Sequence, residues 1–200
     1  MDGIAWAASA MRAAQQRLDI ATDNLANAQT DGFTRLFARG RITENGVQLR
    51  AVPWRGYAAL RPTQRPFDLA LVGPGAFFVQ TPTGARIASR DGAFERSTSG
   101  TLVDRRGNVL LGRHGVVHVA ADAQIDVHGV VHENTAVIDT IAHTPHSRIR
   151  SGWLEASSVD SISEMIDVMS AQRTFEMAEK TAAAIDSTHQ KAAQNVATLS

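Results

Sequence analysis

Six of the chain's seven histidines form three close pairs, at spacings that bring two metal ligands together on a helix. The pairs are His114/His118, His128/His132 and His143/His146. All three lie in segments predicted to be strands and turns, and no compact carboxylate cluster accompanies them. His132-Glu133 also lacks the second histidine of a zinc-protease motif. We therefore expect solvent-facing strand histidines and no metal site, with a metal-dependent hydrolase as one alternative.

Other chemistries find even less support in the sequence. Gly73-Pro74-Gly75 lacks the lysine of a phosphate-binding loop, no serine lies in a G-x-S-x-G motif, and no cysteine is present to act as a nucleophile. Lys plus Arg and Asp plus Glu both number 20, so no basic field for nucleic acid is present. We expect no catalytic residues, no cofactor and no metal, and therefore not an enzyme.

Two segments free of Gly and Pro, residues 4–31 and 153–200, carry seven-residue apolar repeats. In the first segment the repeating positions are Ile4, Met11, Leu18 and Leu25, followed three residues later by Ala7, Ala14, Ala21 and Ala28. In the second they are Val168, Phe175, Ala182, His189 and Val196, with Ala171, Ala178, Ile185, Ala192 and Leu199 three residues on. Such repeats predict helices that pack along other helices. These residues (the seam), except the polar His189, therefore form the candidate assembly interface. A helical bundle closed within one monomer is the alternative.

The ends of both predicted helices carry recognisable signals. The first helix should end near Asp31-Gly32, where glycine adopts a left-handed conformation and the turn at residues 27–33 fixes the exit angle of the chain. The second should begin at Asp160 or Ser161, with Ser161 and Glu164 in the spacing of a capping box. No run of 18 apolar residues is present, so we expect no direct membrane insertion.

Between the helices, short apolar runs alternate with glycine-containing turns. Runs such as Leu69–Val72, Phe77–Gln80 and Arg86–Ser89 predict a compact antiparallel β-domain. The predicted fold class is α+β, with terminal helices (1–32 and 155–200) forming an inner assembly domain. A β-domain at 66–147 is joined to it by linkers at 33–65 and 148–154.

Four blocks of sequence, in order, resemble the bacterial flagellar rod and hook protein family. The terminal blocks supply the family signature residues Asn24, Asn27, Thr30, Gly32, Phe33, Arg35, Gly152, Leu154, Glu155, Ser157, Val159, Gln172 and Arg173. The central blocks are Pro66-Phe67-Asp68-Leu69-Ala70-Leu71 with Gly73–Phe77, and Arg90–Phe94 with Gly100–Val103. Phe33 stands where the family usually has Tyr, Ala76 where an aromatic residue is common, and Ser158 where Asn is common.

The resemblance implies a structural subunit of the flagellar basal-body rod, which polymerises through its terminal helices into the tubular drive shaft between motor and hook. Its implied partners are other copies of itself, other rod and hook subunits, and the flagellar type III export apparatus. No nucleic-acid partner is implied. The implied location is the periplasmic rod, reached without a cleaved signal peptide, and the short chain favours a proximal-rod over a distal-rod protein. A free-standing extracytoplasmic β-domain that binds a ligand, with its helices closed as a bundle, is the second alternative.

Overall fold

The computed structural model describes residues 3–44, 46–134 and 136–197. Helix α1 spans Gly3–Ala26 and helix α2 spans Ser161–Ala197, and the chain between them is rich in antiparallel strands. The α+β fold class predicted from the sequence is therefore confirmed. None of the helices in this described part is long and apolar enough to cross a bilayer.

The chain divides into two compact units. The helical unit takes in the chain up to Ala28, Arg35–Trp54, and the chain from Val159 onward; the β unit takes in Gln29–Thr34 and Arg55–Ser158. The sequence had placed its boundaries at 32, 66, 147 and 155. The structure instead groups residues 35–54 with the terminal helices, because these residues pack on α1.

In the helical unit, α1 and α2 pack against each other and α1 also packs against a β-hairpin. Strand β1 (Leu36–Thr43) pairs along its whole length with β2 (Gly46–Pro53). The sequence indicated only a linker with short extended pieces here. Most residues on both faces of the hairpin stay exposed or half-buried, so the two strands lack the apolar alternation by which strands are recognised.

Helix α1 ends at Ala26, before the predicted end near Asp31-Gly32. The amide of Asn27 donates to the carbonyls of both Asp23 and Asn24, and the amide of Ala28 donates to the carbonyl of Leu25. The last turn therefore tightens from a four-residue to a three-residue step. Gly32 does have a positive φ of 69°, but it lies six residues beyond the helix and inside the β unit. Its conformation therefore serves that unit and not the helix end.

The β unit is built from short antiparallel strands. In chain order they are β3 (Leu60–Pro62), β4 (Leu69–Val72), β5 (Phe77–Gln80), β6 (Arg86–Ser89), β7 (Glu95–Arg96), β8 (Leu102–Val103), β9 (Val109–Gly112), β10 (Gly115–Val116), β11 (Gln124–Ile125), β12 (Val130–Glu133), β13 (Ala136–Thr140), β14 (Arg148–Ser151) and β15 (Trp153–Glu155). One sheet runs in the order β6-β5-β9-β8-β7 with β10 paired to β9, a second runs β11-β12-β13, and β4 and β3 pair with β14 and β15.

The core of the β unit is a cluster of aliphatic side chains around two phenylalanines. The rings of Phe77 and Phe94 meet edge to face, with centroids 5.7 Å apart. Leu69, Leu102 and Leu110 pack in the same cluster and are fully buried. The strands predicted at Leu69–Val72, Phe77–Gln80 and Arg86–Ser89 are confirmed to the residue.

Candidate assembly surface

The alanines of the α1 seam are its most deeply buried members. Ala7, Ala14 and Ala21 are at most 5% exposed. The larger seam residues Met11, Leu18 and Leu25, together with Ala28, are half-buried, whereas Ile4 is exposed. Small side chains on this line let α2 approach closely, but each alanine buried contributes only about 1 kcal/mol or less at ~25 cal/mol/Å².

The α2 seam follows the same pattern over its first two thirds. Ala171 and Ala178 are buried, and the half-buried members are Val168, Phe175, Ala182 and Ile185. His189 and Ala192 are exposed. Leu199 and the side chain of Val196 lie outside the described part of the chain. Among the described residues, the buried and half-buried members of both seams lie in the unit where α1 and α2 pack together, whereas Ile4, His189 and Ala192 are exposed.

A buried amide, Asn24, joins α1 to the start of the hairpin. Its side-chain oxygen accepts from the amide of Leu36 and its nitrogen donates to the Leu36 carbonyl, both at 2.8 Å. The same nitrogen donates to the Glu164 carboxylate at 3.1 Å. Asn24 is 1% exposed and its bond to Glu164 is buried, while its two part-buried bonds to Leu36 hold the hairpin in register with α1.

Glu164 does not act as the capping-box residue that the sequence predicts. The predicted capping box would use its side chain at the helix N-terminus, but the carboxylate is buried and forms an ion pair with Arg35. Arg35 also contacts Asp167 at 3.1 Å. Asn24, Arg35 and Glu164 together form a polar cluster (the lock) that ties α1, the hairpin and α2. Asn24 and Arg35 were singled out only as signature residues, and their contact with Glu164 has no local sequence signal.

The N-cap of α2 is Asp160. Its carboxylate accepts from the Ser163 hydroxyl at 2.7 Å and from the amide of Ile162 at 3.2 Å. The Ser163 hydroxyl and then the Ile162 amide hold the pKa of Asp160 below its usual range, because both stabilise the ionised carboxylate. The predicted start of α2 at Asp160 or Ser161 is confirmed.

A second apolar surface lies on α2, away from the seam. Ile162, Met165, Ile166 and Met169 are between 50% and 71% exposed. At 100° per residue these four side chains form one line on the side of the helix opposite Ala171. We call this line the outer stripe. Apolar side chains therefore lie on both the seam side and the opposite side of α2, and exposed apolar patches of this kind are typical of interaction surfaces.

In the β unit, the signature residues Gly32 and Glu155 hold a tight backbone junction. The Gly32 amide donates to the Glu155 carbonyl at 2.7 Å, and a Cβ on Gly32 would lie 2.3 Å from the Arg90 carbonyl oxygen. The buried Glu155 carboxylate binds the Arg90 guanidinium at 2.6 Å, and Arg90 also donates to the carbonyl of Gly75 at 2.7 Å. Glycine is therefore needed at position 32 for both its φ and its lack of a side chain.

Most of the remaining signature residues are buried or half-buried or form backbone hydrogen bonds. The Phe33 carbonyl accepts from the Ser158 amide, Leu154 is buried, and Gly152 has a φ of 76°. Thr30 accepts from the Phe33 amide through its carbonyl, and the Asn27 side chain donates to the Asp23 carbonyl. Ser157 and Val159 are half-buried, and Gln172 and Arg173 are exposed on α2.

Two of the paired histidines each lie near a different aspartate. His114 lies 3.0 Å from Asp139, and His132 lies 3.7 Å from Asp126. Burial alone would raise the pKa of Asp126, but the amides of Val130 and His128 donate to its carboxylate and leave the pKa lowered. Within the described residues, no group of three or more metal-ligating side chains converges.

Comparison of the sequence with known proteins finds similarity to flagellar proteins. Residues 4–34 match the profile of the flagella basal body rod protein, residues 70–133 that of the flagellar hook protein FlgE/F/G D1 domain, and residues 150–195 that of the flagellar basal body rod FlgEFG protein C-terminal region. These three segments contain α1, much of the β unit and most of α2.

Individual relatives match over nearly the whole chain. The flagellar basal-body rod protein FlgF of Mesorhizobium japonicum is 26% identical over 99% of this chain and 98% of its own length. The rod protein FlgG of Agrobacterium fabrum is 25% identical over 90% of this chain and 94% of its own. The hook protein FlgE of Brucella abortus is 32% identical, but over 65% of this chain and only 35% of the hook protein.

Proposed function

Because the chain belongs to the flagellar rod and hook protein family, we propose that it is a structural subunit of the flagellar basal-body rod. It polymerises through its helical unit into the tubular shaft that joins the motor to the hook. The observation that carries this proposal is the paired terminal helices with the exposed outer stripe. A subunit that functioned alone would gain nothing from four large apolar side chains in water.

The two apolar surfaces of α2 have different roles in this proposal. The seam holds α1 and α2 together as one rigid assembly element, and the outer stripe contacts a neighbouring subunit. Burying a large aliphatic or methionine side chain contributes about 1.5–3 kcal/mol, so four of them supply enough energy for a specific contact. The contact is formed many times along a polymer, which adds to its stability.

The alanine-rich seam also fits a subunit that must reach the rod unfolded. We propose that the flagellar type III apparatus exports the chain without a cleaved signal peptide, and that the helices order fully only when neighbours contribute contacts. The partners are further copies and other rod and hook subunits, with no nucleic acid and no membrane insertion. The proximal rod is the proposed position, with the distal rod second, and no enzymatic activity is expected.

A deletion strain tests the proposal directly. Basal bodies isolated from it should lack a complete rod and hook, and the cells should be non-motile; complementation with the wild-type gene should restore both. Complete basal bodies in the deletion strain would reject the rod function.

The outer stripe has its own matched test. Ile166→Asp places a charge on the stripe and should exclude the chain from basal bodies. Thr174→Asp changes an exposed polar residue that lies away from the stripe around the same helix and should not. Normal incorporation of the Ile166→Asp chain would reject the stripe as a contact. Circular dichroism over a concentration series distinguishes the rod subunit from the alternative of a free-standing ligand-binding β-domain. In that alternative the full helix content would already be present in dilute monomer.

A further inference from the structure

One face of the β-hairpin carries a row of arginines. Successive residues of a strand point to opposite faces, so Arg39 and Arg41 of β1 lie on the same face as Arg35. Arg50 of β2 is the direct cross-strand partner of Arg39 and shares that face. We call Arg39, Arg41 and Arg50 the arginine face.

Among the described residues, the arginine face has no anionic partner. All three side chains are exposed, and in the described part of the chain no carboxylate lies within 4.0 Å of them. Directly opposed like charges destabilise an antiparallel pair. The juxtaposition of Arg39 with Arg50 is therefore unfavourable in an isolated chain, and an added carboxylate would relieve it.

Arg35, just before β1 on the same face of the hairpin, shows that arginines of this face bind carboxylates. Arg35 forms an ion pair with Glu164 and contacts Asp167, both on α2. Farther out, Arg39, Arg41 and Arg50 repeat the guanidinium chemistry without the carboxylates. The arginine face thus continues the strand face that contacts α2 through Arg35, but it forms no ion pair with α2 carboxylates in the described structure.

The matching carboxylates are present on α2. This helix contains five acidic residues against three lysines and arginines, whereas β1, β2 and their turn contain three arginines and one glutamate. Glu176 and Glu179 are exposed, and neither forms an ion pair in the described structure. Their spacing of three residues places both on one side of the helix.

We propose that the arginine face of one copy docks on Glu176 and Glu179 of a second copy. This inference rests on the proposed rod function and specifies part of the contact between subunits. The two surfaces are different patches of one chain, so the contact is heterologous and extends into an open helical array instead of closing as a dimer. Guanidinium groups suit it because they bind carboxylates in a planar, two-bond geometry.

Cross-linking tests the proximity of the two surfaces, because the native chain contains no cysteine. Arg41→Cys and Glu179→Cys are co-expressed as separate chains in the deletion strain, and isolated basal bodies are treated with a short bismaleimide. A cross-linked dimer is expected only when both variants are present. Arg113→Cys, at another exposed arginine, is the matched control and should give no product with Glu179→Cys.

A charge swap tests the chemistry of the contact. Arg39→Glu with Arg41→Glu should lower incorporation into basal bodies about tenfold, since opposed charges both slow encounter and reject the wrong orientation. Adding Glu176→Arg and Glu179→Arg to the same chain should restore it, and Arg113→Glu alone should have no effect. Equal thermal melting of the purified variants would exclude misfolding as the cause.

The outcomes separate this inference from the rod function. Wild-type chain found in basal bodies, with no Arg41/Glu179 cross-link or no rescue by the charge swap, overturns the docking and leaves the rod function standing. Wild-type chain absent from basal bodies overturns the rod function and the docking together. A cross-link combined with rescue supports both.

Discussion

The amide nitrogen of Asn24 and the carboxylate of Glu164 lie 3.1 Å apart although 140 residues separate them in the chain. Both side chains are 1% exposed, and between them they contact the hairpin backbone and Arg35. This bond is the link between α1 and α2 within the lock, because removing either side chain takes one hydrogen-bond partner from a buried atom of the other.

Asn24→Ala should therefore destabilise the helical unit by about 1–3 kcal/mol, the cost of leaving buried hydrogen-bonding groups unsatisfied. Urea unfolding followed by far-ultraviolet circular dichroism measures this change. Asn27→Ala, which removes a more exposed amide whose side chain donates to the Asp23 carbonyl one turn earlier, is the comparison and should cost less. Equal stability of the Asn24→Ala and wild-type proteins would mean that the lock contributes nothing.

Ala14→Glu should separate the two helices. Ala14 is 1% exposed and lies in the seam, so the substitution forces both volume and a charge into a close contact. We expect a loss of at least about 2 kcal/mol in the helical unit and no motility in the complemented strain. Gln16→Glu adds the same side chain at an exposed position of α1 and should remain motile. A motile Ala14→Glu strain would contradict the role of the seam.

Gly32→Ala should destabilise the β unit more than Gly84→Ala. Both glycines have positive φ angles, 69° and 88°, so both substitutions carry the backbone strain of a left-handed residue. A Cβ at Gly84 meets nothing within 4 Å, whereas at Gly32 it would lie 2.3 Å from the Arg90 carbonyl. The difference between the two variants should be about 1–3 kcal/mol, the cost of overpacking. Thermal melts of the full chain measure it, and equal melting temperatures would contradict the close junction.

The stability of α2 should depend on acid pH through Asp160. The folded-state pKa of this carboxyl is lowered by the Ser163 hydroxyl and the Ile162 amide, so its contribution is present above the unfolded value of about 3.9 and is lost as pH falls through the folded value. Asp160→Asn keeps an N-cap acceptor without the titration. Helix melting of the Asn variant should lose less stability than wild type between about pH 5 and pH 2. Identical pH profiles would show that the carboxylate does not act as the cap.

The local structure of this protein can be predicted from its amino-acid sequence. Heptad repeats predicted two helices because apolar spacing along a helix directly reports which side is buried, and the seam alanines Ala14 and Ala171 are indeed buried. Short apolar runs closed by glycine turns predicted β4, β5 and β6 for a similar reason. The start of α2 followed from Asp160, whose capping bonds reach only two and three residues along the chain.

Contacts between residues that lie far apart in the chain become visible in the tertiary structure alone. Glu164 had the spacing of a capping residue, and its burial beside Asn24 and Arg35 depends on a contact across 140 residues that no local pattern encodes. The sequence predicts Gly32 as the end of α1, but glycine is required there because the Arg90 backbone approaches too closely for a Cβ. The repeat also could not show that α1 and α2 of one chain pack against each other along the seam and leave Ile162 and Ile166 exposed. Periodicity indicates which side of a helix is apolar, but not which surface covers that side.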